Sequence, residues 1–184
     1  MVHSSKVAKS GLWSYEDELL DDLTEEQIRT VVGEHSIAWI ILHLARIEDI
    51  TMNMLVAGTS QVYKRDKWAQ KLKSTIHHSA NKMNDDSVKL LSSRLDMAAL
   101  REYRLSVGKR TREIVRKIKP DEFSQKVAPV RLEKLLKEGA MIEDAMEIIE
   151  YWSKRTIAGL LLMPPTRHNF LHLNEAMKVK QKLK

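Results

Sequence analysis

His168 and His172 stand four residues apart in a stretch, Thr166 to Lys182, whose pattern predicts a helix. At that spacing both imidazoles project from one face, about one turn or ~6 Å apart along the axis. A rigid element can offer two nitrogens to one metal ion in this way. Thr166 is the expected N-cap, which puts His168 in the first turn, where the positive end of the helix dipole disfavours a protonated ring. A neutral imidazole with a free lone pair is the form that ligates metal. Two histidines also share a helix face by chance, so the pair alone leaves both readings open.

His43 changes the weighing. It lies in the apolar run Ile37-Ala38-Trp39-Ile40-Ile41-Leu42-His43-Leu44-Ala45 and shares a helix face with Trp39, Ile40, Ile47 and Ile50. A buried imidazole is costly without a partner. That partner is either a carbonyl, Tyr or Glu of the core, or a metal ion held jointly with His168 and His172. His43 and His172 each fall ~10 Å from the start of their helices, so the three rings converge if those helices run alongside with starts at one end. His35 is the other candidate for third ligand. It lies eight residues from His43, roughly 12 Å along an axis, so the two do not easily join one site. His3, His77 and His78 sit in polar segments and are expected to face solvent. Glu48, Glu147 and Glu175 lie near the histidines in pattern and are read as exposed or structural carboxylates. Trp39, Tyr103 and Trp152 either line a pocket beside the metal or belong to the core, with at least two of them in the core.

The elements that must position these residues are helical. Tyr15 to Leu23 reads as a short acidic helical piece within a polar lead-in over residues 1–23. Thr24-Glu25-Glu26-Gln27 fits a capping box, and Gly33 interrupts the short helix that follows. Ser36 caps a long helix running to Ala57, with Gly58 just beyond it. Thr59 to Leu95 reads as a long crossover with partial helix, including an amphipathic piece over Val62 to Lys73. A second long helix runs from Asp96 to Ile118, ended by Pro120. A short one spans Val130 to Lys137, stopped by Gly139. A third begins near Ile142, turns Ala145, Ile149, Trp152, Thr156 and Leu160 inward, and meets Pro164-Pro165. The tight Pro-Pro connection then predicts an antiparallel fourth helix from Thr166 to Lys182. The expectation is an all-α single domain over residues 1–184, a four-helix bundle with long crossover connections.

The 184 residues are 43% hydrophobic and 30% charged with only 6 Gly and 4 Pro, which suits a helix-rich globular protein and excludes a disordered chain or a β-sandwich. The formal net charge of +6 comes from basic residues interleaved with acids. The densest basic run, Lys178 to Lys184, ends a helix, where cations complement the dipole without any ligand. No nucleic-acid partner is expected. The absence of cysteine excludes disulfides, thiolate zinc sites and a cysteine nucleophile. The N-terminus lacks the features of a signal peptide. The longest apolar run, Ile37 to Leu42, is far short of the ~20 residues that span a bilayer. A cytoplasmic location with no membrane contact follows.

His35 through Asp49, Tyr151-Trp152 through Arg167-His168-Asn169-Phe170-Leu171-His172-Leu173-Asn174-Glu175-Ala176, and the helix around Leu100, Tyr103 and Arg104 together resemble the DinB-like superfamily of metal-dependent helical proteins. The resemblance covers most of residues 24–183. It implies a four-helix bundle, frequent homodimers, and a three-histidine metal site that falls on His43, His168 and His172. In characterised branches the metal activates a low-molecular-weight thiol such as bacillithiol, mycothiol or glutathione for transfer or isomerisation. No motif here selects one thiol. Nitrogen ligation suits one divalent ion, zinc or nickel first, with iron, manganese or copper also compatible. Coordination can deprotonate a thiol whose pKa is otherwise near ~8.5. The same open position could instead hold water with a pKa near ~7, giving a hydrolase. A non-enzymatic binding or stress-response protein with a structural or sensing metal is the alternative class.

Overall fold

A computed structural model describes residues 14–183. His3 and the first part of the polar lead-in lie outside the described residues. Helix α1 (Tyr15–Leu20) is shorter than the acidic piece read from the sequence. Helix α2 (Glu25–Arg29) has both bonds of the Thr24–Gln27 capping box. Gly33, at φ +74°, does more than interrupt a helix. It turns a two-residue antiparallel ribbon, β1 (Val31–Val32) with β2 (His35–Ser36), which the short apolar spacing had not signalled.

Helix α3 (Ile37–Asp49) starts where Ser36 Oγ accepts the Trp39 amide, and every one of its residues is buried. A helix buried on all sides lies inside a core, and its polar residues His43, Arg46, Glu48 and Asp49 are each hydrogen-bonded there. It continues unbroken as a π-helical segment, Ile50–Val56, also wholly buried. The Thr51 hydroxyl donates to the Ile47 and Glu48 carbonyls, a local competition with the α-ladder at the point where the pitch changes. Gly58 ends the helix at φ +66°, and Arg131 Nη1 donates to the exposed Leu55 and Val56 carbonyls.

The crossover holds more structure than its polarity suggested. The Val62–Lys73 piece splits into α4 (Val62–Arg65) and α5 (Trp68–Lys71), because Lys67 turns left-handed at φ +55° between them. Helix α6 (Asp85–Arg94) follows the N-cap Asn84. Asp49 ties the crossover to α3: its carboxylate accepts the Val62 amide at 2.9 Å, the Tyr63 amide at 2.8 Å and the Tyr103 hydroxyl at 2.8 Å. Arg46 beside it reaches Gln61 at 2.6 Å and the His77 carbonyl at 2.7 Å. Helix α7 (Met97–Val115) buries the expected stripe of Met97, Leu100, Tyr103, Val107, Thr111 and Ile114 against α3. Helix α8 (Pro129–Lys137) ends before Gly139 at φ +66°.

The last third departs from expectation. The third long helix is not continuous. A 3-10 turn, Glu143–Ala145, leads into α9 (Met146–Ser153), and the chain then opens at 154–156 to bond the Phe123–Lys126 segment. Thr156 recaps α10 (Ile157–Leu162). Pro164-Pro165 makes no hairpin. The helix passes through it as a π-helical segment, Met163–His168, directly into α11 (Asn169–Leu183). Proline lacks an N–H and its ring clashes with the carbonyl four residues back in α geometry. The wider π turn relieves that clash, and the Thr166 hydroxyl donates back to the Leu162 carbonyl one turn earlier. Thr166 is therefore a mid-helix residue and not an N-cap.

The described residues are predominantly helical, with α3 packed between α7 and α11. Among them no helix is long and apolar enough to cross a membrane.

Candidate metal centre

Three elements bring the histidines together: His43 from the middle of α3, His168 from the end of the π segment, and His172 one turn into α11. One ring nitrogen from each lies within 4.8 Å of the others. His43 Nε2 and His168 Nε2 are 3.3 Å apart. Metal–nitrogen bonds of ~2.0–2.1 Å meeting at a tetrahedral angle hold two nitrogens ~3.3 Å apart.

The surroundings choose which nitrogen of two of these rings carries the proton. His43 Nδ1 lies 2.8 Å from the Ser79 carbonyl, which only accepts, so Nδ1–H donates and Nε2 keeps its lone pair. His172 Nδ1 donates to Glu175 Oε2 at 2.7 Å, leaving its Nε2 free in the same way. Partners of this kind fix the tautomer and orientation of metal-ligating histidines. His168 Nδ1 is buried and has no hydrogen-bond partner among the described residues. The donor set, the spacing and the tautomers all fit a divalent ion.

His35 is not a fourth member, but it braces two of the three. Its Nδ1 donates to the other Glu175 oxygen at 2.9 Å, and its ring stacks on Trp39 at 3.7 Å. Trp39 in turn stacks on His43 at 4.9 Å. Glu175 is thus a positioning carboxylate, and the two histidine bonds hold its pKa well below the usual carboxylate range. Glu48 is also structural: fully buried, it accepts from Arg104 at 2.7 Å and Asn169 at 3.2 Å. Glu147 is exposed and paired with Lys82. Tyr103 is core, bonded to Arg46 and Asp49, and Trp152 lines a cavity beside His168. His77 faces solvent as expected. His78 is half-buried, and its Nδ1 accepts the Ala80 amide. Ala80 itself sits at φ +68°, a conformation uncommon for a residue with a side chain, and turns the chain just after the Ser79 carbonyl.

Burial, aided by the neighbouring His172, lowers the His43 pKa to about 3. Burial again leads for His168, with His43, His172 and Arg104 adding to it, and its pKa falls to about 2. This replaces the dipole argument, since His168 has helix on both sides. Both rings are neutral in the folded metal-free chain and protonate below about 6.5 when it unfolds. The unfolded state then binds up to two more protons, so stability is intact above that pH and is lost as pH falls toward the folded values. Between pH 7.5 and 5.5 the metal-free protein loses about 2–3 kcal/mol by urea unfolding. A His43→Asn/His168→Asn variant shows a markedly flatter profile. Equal slopes in the two proteins would refute the assignment.

A helical body carrying three convergent imidazoles defines the class: a helical protein with a candidate tri-histidine metal centre. A family model described as the DinB superfamily matches residues 11–176, and the chain belongs to that superfamily. Among solved structures it is similar to the "conserved protein of locus from Enterococcus faecalis". The two share 13% identity and a TM-score of 0.67, over 92% of this chain and 88% of that one, which is a likeness of fold. Comparison with curated proteins gives no match.

Proposed function

We propose that this chain is a DinB-like metalloprotein that holds one divalent ion, zinc or nickel first, on Nε2 of His43, His168 and His172, and serves as a transferase or isomerase that uses a low-molecular-weight thiol. The observation that carries the reading is the 3.3 Å approach of two imidazole nitrogens, one of them bearing a lone pair because the Ser79 carbonyl holds the His43 proton on Nδ1. That lone pair faces His168 Nε2, so a proton or a cation must lie between the two nitrogens. A divalent ion with three neutral ligands keeps its charge and an open position, and so lowers the pKa of a bound thiol from its ordinary ~8.5.

The chain's own residues orient the site. Ser79 and Glu175 fix two rings, Trp39 stacks behind His43, and the Glu48–Asn169 bond seats the turn that carries His168. The chain has no cysteine, so the thiol comes from a small molecule. In this reading α3, α7 and α11 are members of the family's four-helix bundle with long crossovers, and the protein works as a cytoplasmic homodimer.

The test is optical titration of cobalt-loaded protein with glutathione, bacillithiol and mycothiol at neutral pH. Thiolate-to-cobalt charge-transfer absorption appearing with one of them is the expected result. A loaded protein that binds no thiol but exchanges a bound water favours the hydrolase. One that does neither has a structural or sensing ion, and the transferase reading is then wrong.

A further inference from the structure

Beside His168 lies a cavity of about 160 Å³. Ile47, Ile148, Trp152, Met163 and Pro164 form its walls, and Tyr151 stands at its edge under the Arg155 guanidinium. Apart from His168, Asn81 supplies the one side-chain amide, and its carbonyl oxygen is already taken by the Ser79 hydroxyl at 2.6 Å. Among the described residues, no lysine, arginine, aspartate or glutamate lines this space. The contrast with a larger cavity of about 320 Å³ is sharp, for that one is bordered by Lys64, Lys67 and Glu138.

Size and lining together select an occupant. Clefts lined mainly by apolar and aromatic side chains are the usual seats of apolar ligand groups, and this volume suits a single ring. A charged substrate group would be desolvated here with no counter-charge to meet it, which is costly, whereas a ring or branched alkyl group loses only its contact with water. Four elements contribute walls: α3 through Ile47, the crossover through Asn81, α9 through Ile148 and Trp152, and the π segment through Met163 and Pro164. The Lys82–Glu147 ion pair, 2.9 Å long, ties the crossover to α9 one residue beyond Asn81 and one before Ile148. Both cavity and candidate metal centre share His168.

We infer that this cavity is a substrate subsite for a phenyl-sized, uncharged apolar group, whose attached reacting atom points past His168 toward the three histidines. The orientation rests on the metal-centre reading; the cavity's preference does not. The substrate class is therefore a small aryl or branched-alkyl compound and not a sugar, a nucleotide or a dicarboxylate.

The experiment has two arms, with methyl-labelled protein and simple probes. In the first, benzyl alcohol is added to metal-free protein while the Ile148 and Met163 methyl resonances are followed. Both shift saturably, and Ile148→Phe, a half-buried position that fills the space, abolishes the Met163 shift. In the second, cobalt-loaded protein binds phenylmethanethiol at least tenfold more tightly than 2-mercaptoethanol, and the same variant removes that preference while taking up cobalt normally. Unmoved methyls in the first arm overturn the subsite. Equal thiol affinities with moving methyls overturn the orientation toward the histidines. Failure to take up cobalt, with the methyls still responding, sinks the metal reading and supports the subsite.

Discussion

Protein purified without metal-affinity resin carries about one divalent ion per chain, and His168→Ala and His172→Ala each abolish that stoichiometry. The expectation comes from the donor count. Three neutral imidazoles are few for a divalent ion, so losing any one leaves a two-nitrogen site without the closure that structural and catalytic sites share. His172 is the safer position to vary, because it is half-exposed while His43 is buried and holds the Ser79 carbonyl. Glu175→Gln retains all three ligands and keeps an acceptor for His172, but loses the charge that both His172 and His35 address. Its expected cost is ~10–100-fold in metal affinity, the usual scale for a partner one bond removed from the ion. Elemental analysis and competition with a chromophoric chelator read both effects, and circular dichroism checks that each variant is folded. Full metal content in His168→Ala and His172→Ala would end the assignment.

How the three histidines became legible differs from residue to residue. His168 and His172 needed only helical geometry, and that geometry survives the replacement of a helix start by a continuous π-to-α junction. His43 was visible as a polar residue in an apolar run, because a buried imidazole demands a partner. The bracing shell was legible only in part. Glu175 stands three residues after His172, a spacing that places both on one face, yet one carboxylate on a polar helix looks like any other surface acid. Ser79 acts through its backbone carbonyl, which no side-chain pattern encodes, and it lies in a polar stretch that reads as loop. The Pro164-Pro165 pair misled for a related reason. Two prolines before a threonine and an apolar run resemble the end of one helix and the cap of the next. The alternative, a π turn that carries the helix through both prolines, depends on the packing of the Asn169 amide against the Pro165 carbonyl and Glu48.

Arg104→Met should lower stability by about 3–5 kcal/mol and loosen metal binding although it touches no ligand. Arg104 is 1% exposed, and its guanidinium reaches Glu16 on α1 at 2.6 Å and Glu48 on α3 at 2.7 Å, both carboxylates buried as well. Burial alone would lower the Arg104 pKa, and the two carboxylates more than reverse this, so it is raised above its ordinary value. Methionine fills similar volume but removes the cation the two acids share, and taking one partner from a buried ionic cluster costs on this scale. The desolvation cost of burying three charges offsets most of their attraction, so the cluster adds little net stability over an apolar one. Arg104→Met combined with Glu16→Gln and Glu48→Gln should therefore recover most of the loss. Metal affinity separates the two roles of Glu48. Its Oε2 also accepts from Asn169, the residue after His168, and Asn169 in turn holds the Pro165 carbonyl. In the triple variant a glutamine at position 48 keeps an acceptor for Asn169, so metal uptake returns along with stability. If stability returns but metal affinity does not, the charge of Glu48, transmitted through Asn169, sets the position of His168. If the single variant is as stable as the parent in urea, the cluster is not the clamp that the geometry describes.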